Sequence, residues 1–424
     1  MTNRPKSWLR FSLFLEKGLD RAVHALRSKT GLHRRLLIDS YHGIGNRNVL
    51  VARGRVLAVR TLKSSEAGHS RWKNLRSNLT RFLSREIPYA GIVARFGNTE
   101  VRLTADQEGY FEARLEFPEG LPTDLERFPV ELRVESPPTR EPVRAIAEVS
   151  VPHPQVPFGI ISDIDDTILH TGSLRLWEAA KVTLFRNAHT RLPLPGVTAL
   201  FKGLHGKSGA PHRPFFCVSS SPWNLHDLLS EFFVLRGFPG KPVLFLRDWG
   251  LSPEGLLPSS HRSHKLKALR QILDTTAPLP YILLGDSAQE DPEVYREIVE
   301  AYPGRILAAY IRNVNKDLKR PEAIRKLAIE VLEKGSTLIL AQDSLAIAEH
   351  ALTKGWIEES DVEAVRREVR QEGKPEGAAT HLDQAEKVSG SLPEAKAEVR
   401  SGGIEKALES GKAGAPATVW VEGP

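Results

Sequence analysis

Phe158-Gly-Ile-Ile-Ser-Asp163-Ile-Asp165-Asp166-Thr167-Ile-Leu169 is an apolar run that ends abruptly in three carboxylates and a hydroxyl. Pro157 precedes it and Gly172 follows, so it reads as a buried parallel strand whose C-terminal end delivers charge into a crevice. Phosphoryl transfer needs that arrangement. A phosphate ester is a poor electrophile wrapped in negative charge, and a carboxylate attacks it only where a cation neutralises that charge and the geometry is fixed. Asp163 can be that nucleophile. Asp165, two residues on, reaches the same region, where a second carboxyl can protonate the leaving oxygen and later deprotonate water. A solvated acidic turn that binds a cation has the same residue types, and the stretch alone leaves both readings open.

Three later stretches carry matching signals in order. Phe215-Phe216-Cys217-Val218-Ser219 is a second apolar strand that Ser219 ends, with its hydroxyl suited to a phosphoryl oxygen. Ser221-Pro222 then reads as an N-cap followed by Pro at the first helical position, which aims free N–H groups at an anion. Lys265 lies near the start of an amphipathic helix in His264-Lys265-Leu-Lys267-Ala-Leu-Arg270, where an ammonium can steady the nucleophile and the phosphoryl charge. Lys267 is its rival. Tyr281-Ile-Leu-Leu-Gly285-Asp286-Ser287-Ala-Gln-Glu290-Asp291 is a third buried strand ending in Gly and Asp. Asp286 there suits Mg²⁺, a hard ion that favours carboxylate oxygen, with Asp291 or Glu290 supporting the shell.

Asp-x-Asp-x-Thr after an apolar strand resembles the first motif of the haloacid dehalogenase-type phosphotransferases. Taken with Ser219-Ser-Ser-Pro222-Trp223-Asn-Leu and Gly285-Asp-Ser-Ala-Gln-Glu-Asp291-Pro292-Glu293-Val-Tyr295, the chain resembles the actin-patch-type phosphatidate phosphatase family over roughly residues 156–370. That resemblance implies a magnesium-dependent domain with lipin-like chemistry. It makes Asp163 the nucleophile, Asp165 the acid/base, Thr167 a helper, Ser219 and Ser220 the phosphate donors and Lys265 the charge partner. Asp163, Asp165, Asp286 and Asp291 become the metal set. Substrate is not settled by such a resemblance, since domains that share chemistry differ in what they admit.

The 424 residues allow two or three domains. Cys217 is the only cysteine, so no intramolecular disulfide is possible, which suits a reducing compartment. The net charge of +7 is uneven: up to Arg85 there are nineteen Lys and Arg against four Asp and Glu. That concentration suggests an anionic surface as partner, either phospholipid or nucleic acid.

Four regions are expected. Residues 1–33 read as a basic amphipathic helix, with Trp8, Phe11, Leu15 and Leu19 on one face and Arg10, Lys17 and Arg21 opposite. Such a helix either lies in a membrane interface or docks on its own protein core. Its charges interrupt any secretory apolar core, and no later stretch is long and apolar enough to span a bilayer. Residues 34–152 alternate like strands and suggest a small transthyretin-like β-sandwich, with a second basic helix over Arg71–Arg85 and a hairpin at Thr104–Phe111. Pro152 to Pro157 is a stiff linker. Residues 153–371 alternate strand and helix, which points to an α/β, haloacid dehalogenase-like Rossmannoid parallel sheet with a small cap at Gly172–Pro195. Residues 372–424 have a tail composition.

The expected protein is therefore an enzyme, a Mg²⁺-dependent phosphatase of the cytoplasm, peripheral on the membrane and acting on phosphatidate. Two alternatives stand beside it: a nucleic-acid end or other phosphomonoester phosphatase, and a membrane-binding scaffold with a vestigial site.

Overall fold

The structure, a computed structural model, describes residues 35–59, 85–139, 141–169, 193–207, 210–247, 261–314 and 319–372. The helix expected within 1–33, the second basic helix apart from Arg85, the cap expected at Gly172–Pro195 apart from its last three residues, and the tail after 372 lie outside these residues.

The front unit is built from β1 (Arg35–Asn46), β2 (Val49–Val59), β3 (Arg85–Glu86), β4 (Gly91–Phe96), β5 (Thr99–Thr104), β6 (Tyr110–Glu116), β7 (Arg127–Ser136) and β8 (Arg144–Ser150). Period-two alternation decides which face is buried. In β7, Phe128, Val130, Leu132 and Val134 point inward while the charged residues between them face solvent. All eight strands join one hydrogen-bonded network in the order β3-β2-β1-β8-β7-β4-β5, with β6 also pairing β2. A sandwich in the strict sense would have two networks; here one sheet curls so that β5 approaches β6. Leu50, Ile92, Phe111, Leu115 and Phe128 fill the interior.

The hairpin expected at Thr104–Phe111 does not form a ladder. Asp106 Oδ1 accepts from the Glu108 and Tyr110 amides, an Asx turn that reverses the chain. Yet β5 pairs with β4 and β6 pairs with β2. A turn signal specifies a reversal, and partner choice is made by the faces that have to be buried.

The second unit has six strands: β9 (Gly159–Ser162), β10 (Phe215–Pro222), β11 (Val243–Arg247), β12 (Tyr281–Asp286), β13 (Ile306–Arg312) and β14 (Leu338–Ala341). Their order is β11-β10-β9-β12-β13-β14, and every neighbouring pair is parallel. Around them lie α1 (Val197–His205), α2 (His226–Leu235), α3 (His261–Thr275), α4 (Asp291–Ala301), α5 (Lys319–Glu333), α6 (Ser344–Thr353) and α7 (Glu359–Glu372). Helices α1, α2, α6 and α7 pack on one face of the sheet and α3, α4 and α5 on the other. Strands covered on both sides must be apolar throughout, and β9, β11, β12 and β14 are buried at every position. The strand order reverses at β9, so the crevice at a topological switch point opens at the C-terminal ends of β9, β10 and β12.

Strand β10 runs on to Pro222 instead of ending at Ser219, and a 3-10 turn, Trp223–Leu225, precedes α2. Pro222, not Ser221, holds the capping position, and no side chain caps that turn. Ser221 is used elsewhere, as the site shows.

The two units share a packed boundary. Ile44, Val49 and Val51 of the curled sheet belong to the same core as Ile161, Phe216 and Tyr281. Asn46 Nδ2 donates to the Thr275 carbonyl at 2.8 Å. Among the described residues no helix is long and apolar enough to cross a membrane.

His42 lies at this boundary with Nε2 2.9 Å from Ser150 Oγ. Burial, aided by Arg127 and Arg53, pulls its pKa down to about 3. The unfolded chain therefore binds a proton that the folded chain refuses, and stability falls as pH drops below about 6.5. Between pH 7 and pH 5 this one group should remove about 2 kcal/mol. His42→Gln should lose that much less over the same range, measured by urea unfolding at the two pH values.

Candidate active site

Each site residue sits where a strand hands over to a loop or where a helix begins. Asp163 follows β9, and its amide donates to the Leu284 carbonyl of the neighbouring strand at 2.8 Å. Its Oδ1 accepts from the Ile164 amide at 2.8 Å, and its Oδ2 accepts from Lys265 Nζ at 2.9 Å. Asp286 is the last residue of β12, with Oδ1 accepting from the amides of Ala288 (2.6 Å) and Gln289 (3.0 Å). Asp291 opens α4, and its carboxylate faces back: Oδ2 accepts from the Asp286 amide at 3.1 Å and Oδ1 accepts from Lys265 Nζ. Oxygens of Asp163, Asp286 and Asp291 all lie within 4.8 Å of one another, a set that can hold a metal ion.

Gly285 makes this approach possible. A Cβ there would stand 2.6 Å from Asp291 Oδ2 and 2.8 Å from Asp291 Cβ. The loop after β12 is clamped from α5, where Arg320 donates to the Ser287 carbonyl (3.0 Å) and the Gln289 carbonyl (2.7 Å) and pairs with Glu293.

The electrostatics follow from burial. Lys265 is 4% exposed, Asp163 2%, and Asp286 and Asp291 are fully buried. Burial pushes the Asp163 carboxyl well above the ordinary carboxylate range; Lys265 opposes the rise, and Asp291 and Asp165 add to it. Asp286 is pushed up to about 7, by burial first and then by the Asp291 charge. Burial alone would discharge Lys265, but Asp163 and Asp291 outweigh it and hold the ammonium above its usual range. Three carboxylates face one ammonium, so the site carries more negative charge than its own cation offsets.

Asp165 stands apart from this cluster. Its Oδ2 accepts from Ser219 Oγ at 3.1 Å. The hydroxyls of Ser219 and Ser221 lie 2.9 Å apart, and the Ser221 amide donates to Ser219 Oγ at 3.0 Å. Ser219 is thus buried and engaged with Asp165, and Ser220 beside it is half-buried. The Thr167 hydroxyl is buried, with no hydrogen-bond partner among the described residues. Between Asp165 and Thr167, Asp166 adopts φ 52°, a left-handed conformation that Asp tolerates better than most residues. Of the two rival lysines, Lys265 points into the cluster and Lys267 is exposed. Glu290 stays outside the carboxylate set.

Two further groups join the site. Gln289 Nε2 lies 3.5 Å from Asp163 Oδ2 and 3.4 Å from Asp286 Oδ2, while its Oε1 lies 3.4 Å from Lys265 Nζ. His264 Nε2 lies 3.1 Å from the Ser219 carbonyl, and burial lowers its pKa to about 4. Both belong to motifs already quoted, but an amide and a neutral imidazole beside charged neighbours give no signal of their own in sequence.

Fold and site together define an α/β unit with a buried carboxylate and lysine centre at the C-terminal ends of its parallel strands. Residues 158–313 match the family model of the phosphatidate phosphatase APP1 catalytic domain. That segment holds every site residue named above except Arg320. It is 33% identical over 159 residues to phosphatidate phosphatase APP1 of Saccharomyces cerevisiae, covering 37% of this chain and 26% of that protein. It is 31% identical over 164 residues to an uncharacterized protein of Schizosaccharomyces pombe, covering 38% and 26%. The matched part is thus about a quarter of the length of these relatives. Among solved structures, a carbohydrate acetylesterase from Xanthomonas citri aligns over 70% of this chain and 74% of its own, at 11% identity and a TM-score of 0.23, too low to inform the fold.

Two substitutions test this geometry. Lys265→Met leaves three buried carboxylates without their cation and should cost about 3–5 kcal/mol in denaturant unfolding with chelator present. Carboxyls whose folded pKa is raised lose stability as pH rises through that pKa, so the loss should be larger at pH 8 than at pH 6. Gly285→Ala should cost about 1–3 kcal/mol and turn Asp291 away from the Asp286 amide, visible as a chemical-shift change at that amide.

Proposed function

We propose that this protein is a Mg²⁺-dependent phosphatase of haloacid dehalogenase-like fold, acting through an aspartyl-phosphate on Asp163 and releasing phosphate from phosphatidate at a membrane surface. The observation that carries the reading is the buried constellation of Asp163, Lys265, Asp286 and Asp291 inside the segment that matches the APP1 catalytic-domain family. The lipid substrate rests on that match, because the yeast relative is named for phosphatidate.

The residues fit the ion. Hard carboxylate oxygens within 4.8 Å of one another, three sharing one ammonium, suit a small divalent cation. Asp163, Asp286 and Asp291 would hold it. When bound, Mg²⁺ would neutralise charge on the phosphoryl oxygens.

The protein's own groups then divide the work. An Asp163 carboxylate oxygen attacks phosphorus as the bond to the glycerol oxygen breaks. Protonated Asp165 gives its proton to that oxygen, and diacylglycerol leaves. The Asp165 carboxylate next takes a proton from water, the water oxygen attacks phosphorus, and the bond to Asp163 breaks to free inorganic phosphate. Lys265 fixes the attacking carboxylate and draws charge from the phosphoryl group, while Ser219 holds Asp165 and Ser220 lies beside it to meet the phosphate.

Mg²⁺-dependent phosphate release from phosphatidate in mixed micelles tests this, with an aryl phosphate and a 5′-phosphorylated oligonucleotide as comparison substrates. Phosphatidate should be preferred, and Asp163→Asn should lower kcat by at least about 10³-fold. Turnover of the oligonucleotide alone would move the substrate to nucleic-acid ends, and absence of any turnover would leave the scaffold reading.

A further inference from the structure

We infer that the curled β-sheet is part of the catalytic unit: Tyr41 and Arg53, acting through Trp223, position the Ser219–Ser221 segment that holds Asp165. The inference concerns positioning, and its activity arm rests on the phosphatase reading above.

The segment needs outside support. Strand β10 is in register with β9 over Phe215–Cys217 and with β11 over Phe216–Val218. The register then shifts, and pairing resumes only at Pro222 with Arg247. Ser219, Ser220 and Ser221 therefore lie in a register irregularity between β10 and β11, although Ser219 must aim its hydroxyl at Asp165. Anchorage comes from both sides of the gap.

Downstream, Trp223 follows Pro222 directly and is 8% exposed. Its ring is stacked on Tyr41 of β1, with centroids 4.3 Å apart and planes inclined by 16°. Tyr41 also meets His226, the first residue of α2, at 4.8 Å. On the upstream side, Arg53 of β2 places its guanidinium 4.1 Å from the ring centroid of Phe245, the β11 partner of Val218, and 5.9 Å from that of Trp223. Arg53 and Tyr41 face each other across the β1–β2 ladder. Two residues of one sheet thus grip both ends of an irregularity in the other. Stacked aromatic and guanidinium contacts of this kind are directional, so they set orientation as well as adding buried area.

Other boundary contacts lie on the C-terminal half of α3: Asn46 Nδ2 donates to the Thr275 carbonyl, about 15 Å along that helix from Lys265, and Gln271 Nε2 donates to Glu112. Weakening the boundary there costs stability without touching the Ser219 segment.

The test compares Tyr41→Ala, Tyr41→Phe and the double variant Asn46→Ala/Gln271→Ala in the full-length chain, with hydrogen exchange of the 215–226 peptide as the first readout. Tyr41→Ala should speed exchange in that peptide, Tyr41→Phe should restore it, and the double variant should leave it at the wild-type rate. In the phosphatase assay Tyr41→Ala should lower kcat about tenfold or more with KM changed less than about threefold, since misplaced groups cost turnover first. Exchange and kcat in Tyr41→Ala that match those of the double variant would overturn the inference. A wild-type chain that turns over no phosphate ester would defeat the phosphatase reading, and the exchange comparison would still decide the positioning.

Discussion

Lys265 places one ammonium between Asp163 and Asp291 with almost none of its surface in water. A charge so buried persists only where its partners are fixed, because removing any one leaves others uncompensated. Three carboxylates from three elements must therefore arrive together: Asp163 at the end of β9, Asp286 at the end of β12 and Asp291 at the start of α4. The parallel sheet supplies this convergence, since all its strands end on one side and the order reverses at β9. In that centre three carboxyl groups share a single ammonium.

Much of the surrounding architecture reads as the means of keeping those carboxylates close. Gly285 is needed because Asp291 occupies the space a side chain would take. Arg320 ties down the carbonyls of Ser287 and Gln289, which lets their neighbouring amides point at Asp286. Asp286 then has both amide donors and a pKa near 7, two opposed influences in one group: the amides favour its charge, and burial with Asp291 disfavours it. The net direction shows that burial prevails until a cation is supplied.

The strand ends were legible in sequence because buried parallel strands have no polar positions until they reach the crevice. A carboxylate after Ile160-Ile161-Ser162 or after Leu283-Leu284-Gly285 cannot be a solvated surface residue and still follow such a run. Lys265 was legible only as one of two lysines; the choice between them depends on helix phase against the sheet, which is a tertiary fact. Arg320 and His264 act through backbone carbonyls, and a contact to a carbonyl leaves no trace in residue type. In the front unit the individual strands were readable from alternation, whereas the pairing of β6 with β2 was not, since the turn at Asp106 specifies a reversal and says nothing about the partner. Ser221 looked like a cap for the same kind of reason: a Ser before Pro is a good cap in isolation, but here its hydroxyl is drawn to Ser219 and the strand continues past it.

The family match ends at the second unit, yet the physical boundary of the site does not. Ladder hydrogen bonds fix Asp163 and Asp286 from within the parallel sheet, so these two need nothing from outside. Asp165 is different: it lies past the end of β9 and is held by a serine at an irregularity of β10. The acid and base role proposed for Asp165 requires a group that stays in place while the proton moves, so the least regular stretch of the sheet carries the strictest positional demand. The stacked Trp223 and Tyr41 rings and the Arg53 guanidinium answer that demand from a separate sheet. Division of labour follows from the same physics that builds the core: charge is fixed by the strand ends of one unit, and the serine segment that holds Asp165 is steadied by Tyr41 and Arg53 of the other.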